Sequence, residues 1–343
     1  MLHDINTKLT PLLFLAGLAL PGAYSIAKVE VHQPDLDPLK GAYQRAYETS
    51  FVDAFPMTFS AQALLNTATL ALFGEANSEV VIGQGDWLFT SEEFRPPEEA
   101  PNFTAILQDT RTRLAEHEIE LLPVIVPDKA RIYTEKLPRA RSGAIETRYE
   151  SALSAVRAQG FVGVDLTSAL LAGRQTSETF MRTDTHWSPA GASLAAKELA
   201  DATGLIKAGN SDVTTQTLPN APFDGDLMPF VETGPFAPWV GIEPEEIGVQ
   251  QTVLTQDNGL GLFGEADIGI VLVGTSFSAR AEFNFAGALS QATGLEVVNL
   301  ASQGQGPFTP MVEALDAGTI LEINPRFVVW EIPERYLSVW SSK

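Results

Sequence analysis

The chain has 343 residues, of which 45% are hydrophobic and 19% charged, so it can bury a core for one large or two modest domains. Its 22 Lys and Arg against 43 Asp and Glu give a formal net charge of −21. This balance argues against nucleic acid as a partner, because phosphate binding needs clustered basic residues. The chain has no Cys, which excludes disulfides, Cys-ligated zinc, iron–sulfur clusters and thiol nucleophiles.

The N-terminal segment is typical of an exported protein. Residues 9–27 form a run of 19 uncharged residues behind Lys8, and Ser25 and Ala27 supply the small side chains found before a cleavage site. The run is also nearly long enough to stay in a bilayer as an anchor. We therefore predict a signal peptide or signal anchor over residues 1–27, with cleavage and retention as open alternatives.

A linker and helical lead-in over residues 28–79 precede a region of alternating helical and strand-like patterns. The spacing of apolar residues predicts helices over 103–118, 146–159, 189–200, 279–292 and 310–321. Apolar runs predict strands over 119–126, 161–166, 268–274, 296–301 and 326–332. Residues 205–265, rich in Pro and Gly, are predicted to be an irregular insertion. Alternating strands and helices predict a single α/β domain over 80–343, with a mostly parallel sheet.

A candidate nucleophile lies where the strand at 268–274 ends. Gly274-Thr275-Ser276 predicts a tight turn into a helix, which places Ser276 at the carboxyl edge of the sheet, where ligands bind in open α/β folds. The backbone N–H of such a serine can point toward a developing oxyanion. The alternative is that Gly274 makes the turn while Ser276 or Ser278 only caps the helix.

A candidate base lies in a loop that runs directly into the helix at 189–200. Asp184 and His186 are two residues apart, so in an extended segment their side chains project the same way. The carboxylate can then hold one imidazole nitrogen while the other faces Ser276. The other three histidines are weaker candidates: His3 precedes the uncharged run, His32 lies in the linker, and His117 lies in a charged helix. The alternative is a loop histidine held by Asp184 without a catalytic role.

No metal site and no cofactor are predicted. The chain has no HExxH motif and no second His near His186. The glycine-rich segments 83–85 and 304–306 lack the further residues of a phosphate-binding loop, so both are interpreted as turns.

Six short segments, taken together and in order, resemble the alginate O-acetyltransferase family, the SGNH-hydrolase-like proteins of bacterial exopolysaccharide acetylation. They are GDWLF at 85–89, PDKAR at 127–131, DTHW at 184–187, GDL at 225–227, GTSFS at 274–278 and WEIPER at 330–335. The resemblance covers about residues 80–340, nearly the whole exported domain.

The resemblance implies a three-layer, SGNH-hydrolase-like fold in which Ser276 is the nucleophile, His186 the general base and Asp184 its orienting acid. Ordinary SGNH hydrolases have the serine first, so the order Asp, His, Ser implies a circular permutation. The implied reaction transfers an acetyl group through a Ser-linked acetyl-enzyme to hydroxyls of an exported polysaccharide. The implied donor is a membrane-bound O-acyltransferase or an acetyl carrier.

The resemblance also implies a periplasmic protein, either soluble or anchored to the inner membrane through residues 9–27. The chain ends soon after Arg335, so it looks like the single-domain, membrane-tethered type without a carbohydrate-binding module. Two alternatives to acetyl transfer stay open: a carbohydrate acetyl esterase with the same triad, and a non-catalytic scaffold of a polysaccharide-export complex.

Three further residues are candidates for substrate binding. Arg280 and Asn284 are four apart on a predicted helix, and Trp187 adjoins the base; solvated or core positions are the alternatives. A chain of net charge −21 repels a polyuronate at long range. The basic residues of 129–141 could line a groove for such a polymer, or form a solvated loop.

Overall fold

The computed structural model describes residues 23–29, 47–48, 50–51, 54, 58–73, 75–97, 101–255 and 268–338. Most of the predicted signal segment and linker lies outside these residues, although 23–28 are helical. The chain divides into two compact units, one of Met1–Glu75 with Val231–Ile242 and one of Ala76–Phe230 with Glu243–Lys343. Within the described part of the chain, no helix is both long enough and apolar enough to cross a membrane.

The strands, in chain order, are β1 (Val80–Ile82), β2 (Leu88–Thr90), β3 (Glu120–Val126), β4 (Asp212–Thr217), β5 (Ala221–Phe223), β6 (Glu245–Ile247), β7 (Gln250–Thr255), β8 (Ile270–Val273), β9 (Val297–Asn299) and β10 (Phe327–Pro333). The helices are α1 (Thr58–Phe73), α2 (Phe103–Ala115), α3 (Lys129–Ile132), α4 (Gly143–Glu146), α5 (Arg148–Ala158), α6 (Thr167–Gly173), α7 (Pro189–Ala202), α8 (Ala237–Val240), α9 (Ser276–Ala279), α10 (Phe285–Thr293), α11 (Phe308–Asp316) and α12 (Thr319–Ile323). Short 3₁₀ helices cover Ser91–Phe94, Thr134–Lys136, Met228–Val231, Gly234–Phe236, Ala281–Phe283 and Glu334–Tyr336.

The smaller unit is built on α1, a helix without a charged residue. The 3₁₀ turn Gly234–Phe236 and helix α8 pack against it. Asn66 of α1 donates a hydrogen bond to the Glu232 carbonyl at 2.9 Å. Residues 231–242, predicted as part of the insertion, therefore cluster with the N-terminal part of the chain.

The larger unit is built on a four-stranded sheet of order β3-β10-β8-β9, in which every pairing is parallel. On β10, Val329 lies opposite Leu122 of β3 on one side and Leu272 of β8 on the other. Helices occupy the connections between these strands, as parallel pairing requires. The structure confirms the predicted α/β class with a mostly parallel sheet.

Alternate side chains of the sheet enter two separate cores, because successive residues of a strand point to opposite faces. On β8, Ile270 and Leu272 belong to one core, whereas Val271 and Val273 belong to the other. The first core also takes apolar residues of α7 and α10, and the second takes those of α2, α5 and α11. Helices on both faces of one sheet make the predicted three layers.

The predicted strand at 161–166 is wrong, since these residues form no strand. Gly160 and Gly163 have φ of +85° and +60°, which interrupts an extended chain. Arg157 donates to the Gly163 carbonyl at 2.8 Å and so satisfies the bent backbone. The apolar run thus fits a half-buried coil as well as it fits a strand.

The predicted irregular insertion contains regular structure in its described part. Strands β4 and β7 form one two-stranded antiparallel sheet, and β5 and β6 form another. Thr215 and Thr252 lie opposite each other with their hydroxyl oxygens 2.8 Å apart. These strands are short and polar, so they give little periodic signal. Residues 256–267 of the insertion lie outside the described residues.

Two predicted helices are broken by residues with left-handed backbone. Asn284, with φ of 55°, separates the 3₁₀ turn Ala281–Phe283 from α10, so no single helix runs from 279 to 292. Gly318, with φ of 75°, separates α11 from α12 within the predicted helix 310–321. Arg280 and Asn284 therefore do not share a helical face.

Candidate active site

The turn after β8 places Ser276 at the carboxyl edge of the sheet. Thr275 is the N-cap of α9, and its hydroxyl accepts the Phe277 N–H at 3.3 Å. The amides of Ser278 and Ala279 donate to the Thr275 carbonyl at 3.0 and 2.9 Å. The chain thus passes from strand to helix within two residues, as the sequence predicts, and Ser276 stays half-buried at the rim.

A buried carboxyl group on the neighbouring strand β10 stabilises this turn. Glu331 of β10 accepts the Thr275 N–H at 2.7 Å and the Ser278 hydroxyl at 3.0 Å. A Cβ atom at Gly274 would collide with the Glu331 carboxylate, so only glycine fits there. Burial raises the pKa of Glu331 to about 7, against the opposing effect of these hydrogen bonds. Sequence reasoning missed Glu331; its signal was a single charge inside an apolar strand.

The loop that carries the candidate base closes on itself before α7 begins. Phe180 and Trp187 form an isolated antiparallel bridge, and the Met181 N–H donates to the His186 carbonyl at 3.0 Å. Ser188 is the N-cap of α7, where its hydroxyl accepts the Gly191 N–H at 3.1 Å. The cap that the sequence predicts therefore fixes the point at which this loop ends.

The structure brings the three predicted triad residues together. His186 Nε2 lies 2.7 Å from Ser276 Oγ, and His186 Nδ1 lies 2.5 Å from Asp184 Oδ1. A carboxylate only accepts, so Nδ1 carries the proton and Nε2 is free to accept one from Ser276. The imidazole stacks on the Phe283 ring at a centroid distance of 5.1 Å and lies against the tilted Phe277 ring at 4.6 Å. Both aromatic contacts restrict the movement of the imidazole.

Asp184 is buried and fully hydrogen-bonded. Its oxygens also accept the backbone N–H of His186 and of Asp226, each at 2.9 Å, and Arg280 Nη1 at 2.9 Å. Burial alone would raise the pKa of Asp184, but the hydrogen bond from His186 and the positive charge of Arg280 hold it well below its usual range. Asp184 is therefore an anion at neutral pH.

Asp226 supplies a second carboxylate beside the imidazole. It accepts the Thr185 N–H at 2.7 Å and the Thr185 hydroxyl at 2.6 Å, and its Oδ2 lies 3.5 Å from His186 Nδ1. The ligating atoms of Asp184, His186 and Asp226 lie within 4.8 Å of one another. Because Nδ1 of His186 is already bonded to Asp184, the hydrogen-bond network accounts for this grouping.

Most basic residues of 129–141 are taken up inside the protein, although Arg139 is exposed in a loop. Lys129 is 1% exposed and Arg141 is also buried. Arg141 pairs with Asp128 at 2.9 Å, and Arg131 pairs with Glu334 at 2.6 Å. The expected basic groove is wrong for Lys129, Arg131 and Arg141, because these residues bind partners inside the protein, and the expected solvated loop holds only for Arg139.

The three candidate substrate-binding residues have different positions. Arg280 lies at the site, where it donates to Asp184, whereas Asn284 donates to Thr252 Oγ1 at 2.9 Å. Trp187 is 0% exposed and its indole N–H donates to the Phe277 carbonyl at 3.1 Å. No face of the Trp187 ring is therefore open to a sugar, and its hydrogen bond supports the helix that begins with Ser276.

Comparison with known proteins places most of this chain in a family. Residues 80–334 match the family described as the SGNH hydrolase-like domain of acetyltransferase AlgX. The chain is 36% identical over 310 residues to a probable alginate O-acetylase AlgJ of Azotobacter vinelandii, which covers 87% of this chain and 80% of that protein. It is 33% identical over 339 residues to a protein of the same description from Pseudomonas syringae pv. tomato, covering 95% and 86%.

Solved structures of proteins with related descriptions also match this chain. The O-acetyltransferase domain of Pseudomonas putida AlgJ matches with a TM-score of 0.68 at 33% identity, over 77% of this chain and 94% of that one. Pseudomonas aeruginosa AlgX matches in fold, with a TM-score of 0.60 at 22% identity, over 77% of this chain and 63% of that one. With a family match over most of its length, the chain belongs to the SGNH hydrolase-like acetyltransferases of the AlgX type.

Proposed function

We propose that this protein is an O-acetyltransferase that places acetyl groups on hydroxyls of an exported, alginate-like polysaccharide through an acetyl-enzyme on Ser276. The observation that carries the proposal is the hydrogen-bonded chain from Ser276 through His186 to Asp184, with heavy-atom distances of 2.7 and 2.5 Å. Relatives described as probable alginate O-acetylases support both the acyl group and the polymer.

In the first half-reaction, Ser276 Oγ attacks the acetyl carbonyl of the donor while His186 Nε2 takes the hydroxyl proton. The bond between the acetyl carbon and the donor's leaving atom then breaks, and His186 returns the proton to that atom. The Asp184 carboxylate stabilises the imidazolium that forms between these steps. The product is an acetyl ester on Ser276.

The carbonyl oxygen becomes negative as Ser276 attacks, so it needs donors that are already in place. The amides of Phe277, Ser278 and Ala279 are occupied by Thr275. The Ser276 N–H belongs to the first residue of α9, beside the attacking oxygen, and is not among the amides that Thr275 binds. We assign it as one oxyanion donor.

In the second half-reaction, a sugar hydroxyl attacks the acetyl-enzyme as His186 removes its proton. The ester bond to Ser276 breaks, and the proton passes from His186 to Ser276 Oγ, which restores the free enzyme. The two half-reactions together transfer one acetyl group from the donor to the acceptor and leave the enzyme unchanged. Water in place of the sugar would give hydrolysis instead.

The proposed donor is a membrane-bound O-acyltransferase or an acetyl carrier, and the proposed compartment is the periplasm. The uncharged run at 9–27 supports export, either as an anchor in the inner membrane or as a cleaved signal peptide. Fractionation of cells that express the full chain tests this: export predicts a periplasmic or inner-membrane protein, and a cytoplasmic protein would contradict it.

The catalytic proposal is tested by intact mass spectrometry of the full chain after incubation with p-nitrophenyl acetate. We expect an acetyl adduct that peptide mapping places on Ser276. Ser276→Ala should abolish the adduct, and His186→Ala should slow its formation by about 10³-fold or more. Ser154→Ala, an exposed serine on α5, is the matched control and should behave as wild type.

Added sugar acceptors then distinguish a transferase from an esterase and from a non-catalytic scaffold. Polyuronate and neutral oligosaccharides are added to the isolated acetyl-enzyme, and acetylated products are measured. Movement of the acetyl group to an oligosaccharide establishes transfer and ranks the acceptors. Discharge by water alone, with every acceptor present, identifies an esterase. A folded wild-type protein that forms no adduct and matches Ser276→Ala would be a non-catalytic scaffold, and the proposal would be wrong.

A further inference from the structure

A lysine is buried against the loop that carries the triad's acid and base. Lys129, the first residue of α3, is 1% exposed. Its ammonium donates to the backbone carbonyls of Met181 at 3.0 Å, Arg182 at 3.2 Å and Asp184 at 2.7 Å. An ammonium has three protons, so these carbonyls use its full donor capacity. A buried charge is tolerated only when it is bonded in this way.

The rest of the surroundings also favour a cation. The rings of Trp87 and Phe89 lie 5.6 and 5.1 Å from Lys129 Nζ, within the range of a cation–π interaction. The carboxyl groups that act on Lys129 by charge are those of Glu93, Asp184, Glu245 and Asp226. The lysine is thus enclosed by aromatic faces, backbone carbonyls and negative charge, without a route to a substrate.

The loop at 181–186 depends on side chains from outside it. Glu245 of β6 accepts the N–H groups of Arg182 at 2.7 Å and Thr183 at 2.6 Å. Glu245 therefore binds amides of this loop, while Lys129 binds its carbonyls. Two opposite charges fix the same peptide units, and those units set the positions of Asp184 and His186.

We propose that Lys129 is a positioning residue for the triad: its ammonium fixes the loop backbone so that Asp184 and His186 meet Ser276 at hydrogen-bond distance. This inference rests on the proposed function, since it concerns the same triad. Lys129 acts through the carbonyls of the loop and does not touch the reacting atoms.

The charge state of Lys129 gives the proposal a pH signature. Burial lowers the pKa of Lys129 to about 8, although the four surrounding carboxyl groups oppose the change. Above that pH the neutral amine has one proton fewer, so one loop carbonyl loses its donor. We therefore expect acetyl-enzyme formation by the wild-type chain to decline above about pH 8.

The first test compares Lys129→Met with Lys197→Met in the full chain. Lys197 is exposed on α7, so its loss is the matched control. We expect Lys129→Met to form the acetyl-enzyme about 10²-fold more slowly, because a displaced base loses its near-attack geometry. Its rate should also lose the alkaline decline near pH 8, which Lys197→Met keeps. A folded Lys129→Met with the wild-type rate and alkaline decline would overturn the proposal.

The second test does not require removal of the lysine. Glu93 has the largest charge effect of the groups that raise the Lys129 pKa; burial raises the pKa of Glu93, and the charge of Lys129 is the first influence that opposes this. Glu93→Gln should therefore shift the alkaline decline of the rate to lower pH, while its amide oxygen can still accept the Ala130 N–H that Glu93 binds at 2.7 Å. If Lys129→Met does not fold, this shift supports the proposal, and an unmoved decline overturns it.

A spectroscopic readout separates failure of this inference from failure of the proposed function. The proton on His186 Nδ1 lies in a 2.5 Å contact with Asp184 and should give a downfield NMR signal. With four His in the chain, its assignment is practical. Even if no acetyl-enzyme forms, the signal should shift or vanish in Lys129→Met and persist in Lys197→Met. An unchanged signal in a folded Lys129→Met would overturn the positioning role alone.

Discussion

Glu331 shows how one buried carboxyl group can make the turn at Ser276 sensitive to pH. Its pKa of about 7 in the folded protein lies above the ordinary value of 4.5, so between these pH values the folded protein holds a proton that the unfolded chain has released. The free energy of unfolding from this group therefore falls as pH rises through that window. The loss amounts to about 3 kcal/mol, at about 1.4 kcal/mol for each pH unit.

Glu331→Gln removes this titration and keeps an oxygen that can accept the Thr275 N–H. We expect the free energy of unfolding of wild type, relative to Glu331→Gln, to be higher at pH 5 than at pH 8, measured by urea denaturation. Glu322→Gln, an exposed carboxyl on α12, is the control and should show no such difference. Equal differences at both pH values would show that the Glu331 carboxyl does not titrate in this range.

The sequence could predict Ser276, His186 and Asp184 because each lies in a local motif: a strand-to-helix turn, or an acid two residues from a base. The residues that hold the triad in place have partners far along the chain. Lys129 bonds to a carbonyl 55 residues away, and Arg280 bonds to a carboxylate 96 residues away. No spacing rule connects such pairs, so their roles emerge only once the fold brings them together.

At the scale of elements, the buried parallel strands were the most predictable part of the fold. β8 is a continuous apolar run, and β3 and β10 are apolar except for Glu120 and Glu331, which is close to the pattern of strands covered on both faces. Residues 161–166 show a similar pattern but bend at Gly163. The sequence does not indicate the break in the helix at Asn284, because asparagine occurs with both helical and left-handed backbone.

The ends of β3 and β10 are joined by a buried ion cluster, and its loss should be costly. Arg148 of α5 is fully buried and donates to Asp128 at 2.6 Å, with Glu334 at 3.6 Å. Arg148→Met leaves both carboxyl groups without this partner, so we expect the free energy of unfolding to fall by about 3–5 kcal/mol.

Arg113→Met is the matched comparison for that cluster, since its pair with Asp316 at 2.8 Å is 37% and 60% exposed. An exposed pair contributes about 1 kcal/mol or less, and salt weakens it further. Urea denaturation of both variants at neutral pH measures the contrast. Similar losses in the two variants would mean that burial adds nothing to the cluster at the end of the sheet.

For the whole molecule, the net charge of −21 was evident from composition, but the location of the cations was not. Arg131 and Arg141 form internal ion pairs with Glu334 and Asp128. They therefore do not offset the negative charge of the protein surface that an approaching polymer meets. At the site, Arg280 balances only one of its two carboxylate partners, Asp184 and Glu282. Asp226 adds a further negative charge beside His186. The charge distribution therefore opposes a polyanionic acceptor both at long range and at the rim of the site.

This repulsion predicts an unusual salt dependence for acetyl transfer. The Debye length falls from about 30 Å at 0.01 M salt to about 8 Å at 0.15 M, so salt screens repulsion between enzyme and polymer. At subsaturating concentration, the rate of transfer to a polyuronate oligosaccharide should rise by about 10-fold over that range. A neutral oligosaccharide should show no such rise.

A pair of single-charge variants locates the effect. Asp224→Asn removes an exposed charge two residues before Asp226, whose N–H binds Asp184, whereas Glu120→Gln removes one where β3 begins, at the opposite edge of the sheet. Both change the net charge equally, so only the position differs. We expect Asp224→Asn to raise the low-salt rate with the polyuronate and Glu120→Gln to leave it nearly unchanged. A wild-type rate that falls with added salt would mean that the acceptor is instead drawn in by positive charge at the site.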